Sequence, residues 1–481
     1  TKFGLDFIKK LNGQFSIFFL DNKLKKAYLI RDRLGQKPLY FSLENGRLIF
    51  SSNFLSINKV LNNTSINEEA INNYLNIGIV PGQNTLLNQI SEVLPAQIIE
   101  IDIESLRITN TSNYWEIDKV VGEKAFDEEE FLSLFQDSVK IRQIADVPIA
   151  YFLSGGVDSS SILQSAYETS KEKINTFSVT HQSKKYDESV WSNIVAKKFE
   201  TNHHTENMTK NIEIELVNKA LNSIDQPYFD PSVVPSYILS NMISKNYKVA
   251  ISGDGGDELL CGYERVIKSN SINQRSNIAR YLFRFYPAFL GTGNKILRYS
   301  KDISESYWSF HEDLKLMNLF KLKPNLSYRD KYITKSPETL KQLMHIDYKF
   351  YLSEMMLFKV DRTSMANSLE VRSPYLDYRL IEYVFKSNLD FIDHNEPKKI
   401  MKNYLSSNFD TEFLNRPKQG FVFDVEKWVY KNIGYIKNEL NGSIINEYNN
   451  KIVNTLSINK SRINGIRIWK LFVLAKFMKR L

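Results

Sequence analysis

Twice in this sequence an apolar run breaks into a glycine turn and meets acidic residues at once. The first instance is Ala150-Tyr151-Phe152-Leu153-Ser154-Gly155-Gly156-Val157-Asp158-Ser159-Ser160. The second is Val249-Ala250-Ile251-Ser252-Gly253-Asp254-Gly255-Gly256-Asp257-Glu258. Each predicts a strand that ends in a tight turn, and the first leads straight into a helix. Strands and helices alternate around them: strands over 147–153, 174–179 and 248–252, helices over 159–167 and 190–199. An amphipathic stretch over 131–141 precedes them. Alternation of this kind predicts an α/β fold with a parallel sheet. Residues 270–480 read as mostly helical with aromatic-rich faces.

Residues 1 to about 116 read differently. Short apolar runs at 15–20, 27–30, 39–42 and 47–51 are separated by turn residues, Asp21-Asn22-Lys23 and Glu44-Asn45-Gly46. A further strand pair flanks residues 102–107. This part is β-rich, with one short helix over 68–75 that Asn67 can cap. The polar, unpatterned stretch 118–125 predicts a linker, so the domains are expected at 1–117 and 127–481. The chain opens on Thr1 and runs directly into Phe3-Gly4-Leu5-Asp6-Phe7, which reads as the middle of a domain with an N-terminal piece absent.

Composition excludes more than it assigns. Of 481 residues, 42% are hydrophobic and 25% charged, as in ordinary globular proteins. No apolar run has bilayer-spanning length, no signal segment opens the chain, and Cys261 is the lone cysteine, so an internal disulfide is impossible. The expectation is a cytoplasmic protein without a membrane partner. The net charge is +8, yet the densest lysine clusters are the pairs Lys184-Lys185 and Lys398-Lys399. These read as solvated surface rather than as a nucleic-acid footprint.

The first glycine turn gathers backbone N–H groups and a helix N-terminus around one point, which makes an anion site. Gly155 and Gly156 let the backbone approach a phosphate, and Ser154 and Ser159 add hydroxyl donors. Asp158 would repel that phosphate unless a cation such as Mg²⁺ were present. The loop is not a Walker A sequence, because no Gly-Lys-Ser/Thr follows. Asp254, Asp257 and Glu258 crowd three carboxylates into five residues and also call for a cation. Lys418, within Asn415-Arg416-Pro417-Lys418-Gln419-Gly420-Phe421, is a candidate point charge for phosphate. The block from Lys359-Val360-Asp361-Arg362 to Arg372-Ser373-Pro374-Tyr375-Leu376-Asp377 reads equally well as buried Arg–carboxylate pairing or as substrate binding.

These blocks resemble the glutamine-dependent (class B) asparagine synthetase family over nearly the whole length. Leu11-Asn12-Gly13-Gln14-Phe15 and Arg31-Asp32-Arg33-Leu34-Gly35-Gln36-Lys37-Pro38-Leu39-Tyr40 resemble the rear part of its glutaminase domain. That domain has an N-terminal-nucleophile fold, two stacked antiparallel sheets between helices. Val80-Pro81-Gly82, Tyr114-Trp115, the two glycine turns, 359–377 and 416–421 follow in family order. The implied fold is a truncated N-terminal-nucleophile-type β-rich domain, then a parallel-sheet ATP-pyrophosphatase (adenine nucleotide alpha hydrolase-like) domain with a helical C-terminal part.

The resemblance implies an ATP-dependent ligase that activates L-aspartate as an acyl-adenylate, releases pyrophosphate and AMP, and amidates it with ammonia to L-asparagine. The implied alternative is the same adenylation on another carboxylate, as in sugar-acid amidation, lactam or macrolactam formation. ATP and Mg²⁺ are the implied cofactors. Leu153 and Val179 would line the adenine site with Ser252 and Gly253 nearby. Ser154, Gly155, Gly156 and Ser159 would hold pyrophosphate. Asp158 and Asp257 would bind Mg²⁺, Lys418 would neutralise the leaving pyrophosphate, and Asp254, where the family often has Glu, would sit by the acyl-adenylate. The segment Gln226-Pro227-Tyr228-Phe229-Asp230-Pro231-Ser232 would lie beside the acyl pocket. The family's first residue is a catalytic Cys, and no Cys precedes Cys261 here. Thr1 aligns too far into the domain to replace it, so this chain is expected to use supplied ammonia rather than glutamine. Relatives are often dimers, which makes a homodimer the assembly implied.

Overall fold

The computed structural model describes residues 4–44, 46–120, 122–170, 172–181, 187–208, 212–272, 275–334, 336, 338–393, 396–416, 423–441 and 446–481. Two antiparallel sheets form the N-terminal region. β1 (Ser16–Asp21), β2 (Lys26–Arg31), β6 (Gln97–Asp102) and β7 (Arg107–Asn113) make one; β4 (Arg47–Ser51), β3 (Tyr40–Glu44) and β5 (Ser91–Glu92) make the other. The predicted turn at 21–23 forms because the Asp21 carboxylate accepts from the backbone N–H of Lys23 and Leu24 at 2.9 and 3.0 Å. Side chains alternate along β2. Ala27 and Leu29 pack with Leu39 and Phe41 of β3 and its approach, so one core lies between the two sheets. Tyr28 and Ile30 face the other way, onto Ile8. The sheets are therefore stacked, as expected.

The predicted helix spans Glu68–Ile77, and Asn67 caps it by accepting from Ala70 N–H at 3.1 Å. It ends at Gly78, whose φ of 84° is left-handed. A Cβ there would collide with the Phe229 ring, so this turn is also where the two regions touch. The stretch 118–125 is polar, as read, but it is not loose. Lys124 N–H donates to Lys386 O at 3.0 Å, and Asn388 N–H donates back to Lys124 O at 2.8 Å.

Beyond it stands a five-stranded parallel sheet in the order β10-β9-β8-β11-β12. Its strands are β8 (Ile149–Phe152), β9 (Asn175–His181), β10 (Asn202–Met208), β11 (Val249–Ile251) and β12 (Glu370–Arg372). Three were legible as apolar runs. β10 was not, because Asn202-His203-His204-Thr205-Glu206-Asn207-Met208 is a polar edge strand. β12 was not, because three residues carry no period. From β8 the chain adds strands on one side, and β11 and β12 lie on the other. The switch point lies between β8 and β11, and in open α/β sheets ligands bind at the carboxyl ends of strands at that crevice.

Helices cover the sheet and fill the C-terminal part. The Arg462–Met478 helix is apolar on nearly every side, and it is buried accordingly. Its buried Arg467 is held by Asp313 at 2.6 Å. One continuous core runs from Tyr40, Phe54 and Tyr74 of the N-terminal region to Trp469 and Phe477 at the far end. Polar ties reinforce that junction: Lys37 with Asp361 at 2.8 Å, and Asn12 Nδ2 donating to Asp377 at 2.9 Å. No helix among the described residues is long and apolar enough to cross a membrane.

Candidate active site

Both glycine turns emerge at the switch point. The first follows β8 and opens the Val157–Thr169 helix. Gly156 is the N-cap and offers no side chain for capping, so the first-turn amides keep their donors for an anion. Hydroxyls shape the loop: Ser154 Oγ accepts from Gly156 N–H at 3.1 Å and lies 3.1 Å from Ser159 Oγ. The two glycines do different jobs. Gly155 has φ 72°, and a Cβ on it would lie 2.5 Å from the backbone of Trp191 and Ser192. Its smallness serves packing against the Ser189–Lys198 helix. A Cβ on Gly156 would meet Ser154 Oγ at 3.1 Å and Arg416 Nη2 at 3.7 Å. Gly156 is thus the glycine beside the open mouth.

The second turn packs on the first. A Cβ on Gly253 would meet Asp158 Cβ at 3.1 Å, and one on Gly256 would meet the Asp158 carboxyl at 2.7 Å. This close approach brings Asp158 and Asp257 to one point. The Lys398 ammonium occupies that point, paired with Asp158 and, at 2.6 Å, with Asp257. Lys398 is buried and holds a left-handed φ of 61° at the start of the Lys399–Leu405 helix. Burial works against its charge, but the two carboxylates win and raise its pKa. The surface reading of Lys398 is therefore corrected: it is the central cation of the described site. Only its neighbour Lys399 is largely exposed. A doublet of lysines carries no signal that one of them turns inward. Lys184 and Lys185 lie outside the described residues.

The three crowded carboxylates are resolved in three ways, not by one cation. Asp257 takes Lys398. Glu258 is buried, accepts from Tyr263 OH at 3.0 Å, and has its pKa pushed up to about 8, first by burial and then by the charges of Asp257 and Asp347. It is largely protonated at neutral pH. Asp254 accepts from Ser252 Oγ at 2.7 Å. Burial raises its carboxyl above the ordinary range, against the pull of Ser252 and the Lys359 charge. Beside Asp254 lies a narrow cleft with Ser252, Lys37, Gln14 and Ser373 in its wall.

Leu153 is 1% exposed and sits in the main core, with its backbone N–H donating to Phe177 O at 2.8 Å. Val179 packs partly buried on the sheet's other face with Phe177 and Leu239. Lys418 lies outside the described residues, but Arg416 of the same motif is described. Its guanidinium lies over the Trp191 ring at 5.0 Å and beside Gly156, and its buried Nη1 has no hydrogen-bond partner among the described residues. In the block 359–377, paired side chains dominate: Arg362 holds Asp225 at 2.7 Å and Asp361 at 3.2 Å, and Asp377 takes Arg142 and Arg379.

Among the described residues no three His, Cys, Asp or Glu side chains gather as a metal cage. Asp158 and Asp257 nevertheless converge on one cation, and their hard oxygens suit Mg²⁺ completed by nucleotide phosphates and water.

Comparisons with known proteins identify the family of this chain. The asparagine synthase family model matches residues 130–454, and a glutamine amidotransferase domain model matches residues 1–115. A Methanocaldococcus jannaschii protein described as a glutamine-hydrolysing asparagine synthetase 2 is 34% identical over 269 residues, 55% of this chain and 52% of its own length. The Bacillus subtilis glutamine-hydrolysing asparagine synthetases 1 and 3 are 29% and 26% identical, over 90% and 86% of this chain. Those matches span 70% and 68% of the two Bacillus proteins. The match thus spans 52% to 70% of the length of these three relatives.

Proposed function

The chain belongs to the asparagine synthase family, and from that premise we propose that it cleaves ATP to activate L-aspartate as an acyl-adenylate and amidates it with ammonia to L-asparagine. One observation carries this reading. Two glycine loops from neighbouring strands at the switch point bring Asp158 and Asp257 onto a single buried cation, beside a helix N-terminus built for an anion.

A carboxylate is a poor acyl electrophile, and adenylation turns it into one with a good leaving group. The amides of the first turn of the Val157–Thr169 helix, with Ser154 and Ser159, hold the pyrophosphate portion of ATP. Asp158 and Asp257 are the residues that would hold Mg²⁺, which supplies charge neutralisation to the leaving pyrophosphate when bound. Lys398 then remains next to that charge as a further cation, and Lys418 adds another. Arg416, whose Nη2 lies beside Gly156, donates to a phosphate oxygen. Ser252 and Gly253 border the adenine, to which Leu153 and Val179, with side chains packed into the cores on opposite faces of the sheet, offer backbone only. Asp254 lies at the acyl group. We assign the two functions to 1–117 and 127–481, the first as the glutaminase-type part and the second as the synthetase.

ATP–pyrophosphate exchange with a panel of carboxylates tests this. The expected result is exchange that depends on L-aspartate and is lost in Asp158→Ala. Exchange only with a sugar acid or another carboxylate would move the chain to that substrate, a shift for which the short Asp254 leaves room. Unchanged ATP turnover in Asp158→Ala would remove the catalytic assignment altogether.

A further inference from the structure

Lys359 lies on the buried face of the Leu357–Met365 helix. Lys359 is 5% exposed. Its ammonium donates to Ser232 Oγ at 3.0 Å, and Met356 Sδ stands 3.6 Å away. Ser232 ends the segment Gln226–Ser232. The Lys359 charge also acts on Asp254 and draws its carboxyl downward, against the burial that raises it.

A hydroxyl and a thioether do not compensate a full charge taken out of water. Other buried cations of this chain are better served. Arg362 has two carboxylates, Lys398 has two, and Arg467 has Asp313. Lys470, which lacks a carboxylate, has the carbonyls of Leu75 and Asn76 at 3.2 and 3.0 Å. Lys315 has the carbonyls of Phe283 and Arg284. Lys359 has neither kind: among the described residues it makes no ion pair within 4.0 Å and no hydrogen bond to a carbonyl. Its helix could have carried Leu or Met here at lower cost, so the charge answers to something the described residues do not supply.

We propose that Lys359 is a specificity-determining residue that binds a second carboxylate of the acyl substrate. A dicarboxylate of aspartate's length then spans from Lys359 toward Asp254 and the nucleotide, with one carboxylate anchored and the other activated. A monocarboxylate leaves the ammonium uncompensated and is selected against. This rests on the acyl-adenylation reading above.

The test is Lys359→Met and Lys359→Arg in the pyrophosphate-exchange assay, with L-aspartate against β-alanine, which lacks the anchored carboxylate. A charge-assisted hydrogen bond predicts a KM for aspartate raised on the order of 10- to 100-fold in Lys359→Met, with the KM for ATP unchanged. The preference for aspartate over β-alanine collapses with it, and Lys359→Arg retains part of it. An aspartate KM within about twofold of the parent, or equal losses on both substrates, overturns the proposal. Calorimetric binding of succinate separates this from failure of the adenylation reading. If the parent chain exchanges with no carboxylate yet binds succinate and Lys359→Met does not, the anchor stands and the reaction falls. If the parent does not bind succinate, or both chains bind it equally, the anchor falls. Should Lys359→Met fail to fold, Lys359→Gln takes its place in both measurements.

Discussion

Replacing Lys398 by Met removes the cation that the largely buried Asp158 and Asp257 share, and it keeps the side-chain volume. At the 2.6 Å separation from Asp257, Coulomb attraction at an effective dielectric near 20 is about 6 kcal/mol, and Asp158 adds a second contact. Desolvation of three charged groups offsets part of this, so the gross figure overstates the net loss. Breaking a buried pair from one side costs about 3–5 kcal/mol, because the remaining charges are left facing each other. Against a total stability of about 5–15 kcal/mol this is a large fraction, readable as a lower urea midpoint at unchanged slope. The reasoning makes a second, sharper demand. If the loss comes from uncompensated carboxylates, then Asp257→Asn in the Lys398→Met background restores stability, although Asp257→Asn alone lowers it. Mg²⁺ with ATP should also recover stability in Lys398→Met more than in the parent. A Lys398→Met chain with the parental midpoint refutes this account of the site, and so does a double variant no more stable than the single one.

The other expectations concern the same loops. Glu258 has a folded-state pKa near 8 against an ordinary value near 4.5, so the native state holds a proton that the unfolded chain has released. Its contribution to stability is fully present below about 4.5 and declines as pH rises toward about 8; Glu258→Gln flattens that decline, and an unchanged pH profile of urea midpoints would contradict it. Gly155→Ala meets the backbone of Trp191 and Ser192 at 2.5 Å in a left-handed conformation and is expected to cost about 2 kcal/mol or more. Gly156→Ala keeps its melting temperature within a few degrees but weakens ATP binding; equal melting temperatures for the two variants would refute the division of labour between these glycines. Arg416→Met raises the KM for ATP roughly tenfold while methionine keeps the packing on Trp191, and an ATP KM that does not move would take Arg416 out of the phosphate site.

Much of this protein was legible without coordinates because its signals are local. An apolar run, a glycine and a helix start are adjacent in sequence, so β8, β11 and both turns could be placed from residue order. Asn67 and Asp21 act within three residues of themselves, and both form the cap and turn that their side chains predict. The family resemblance rests on the same kind of contiguous blocks. Long-range pairing was not legible. Strand order is decided by which edges meet, so the switch point between β8 and β11, and with it the meeting of Asp158 and Asp257, belongs to the tertiary structure alone. β10 and β12 owe their strand state to neighbours, not to their own composition. Lys398 shows the limit most plainly: one of two adjacent lysines, it turns inward because carboxylates 240 and 141 positions away in the chain draw its charge. Glycine gave away the loops themselves, but only packing distinguished Gly155, held against a helix, from Gly156 at the mouth. Sequence determined which groups are present and their local backbone; the fold decided which charges must answer one another, because burial makes an unanswered charge too costly to keep.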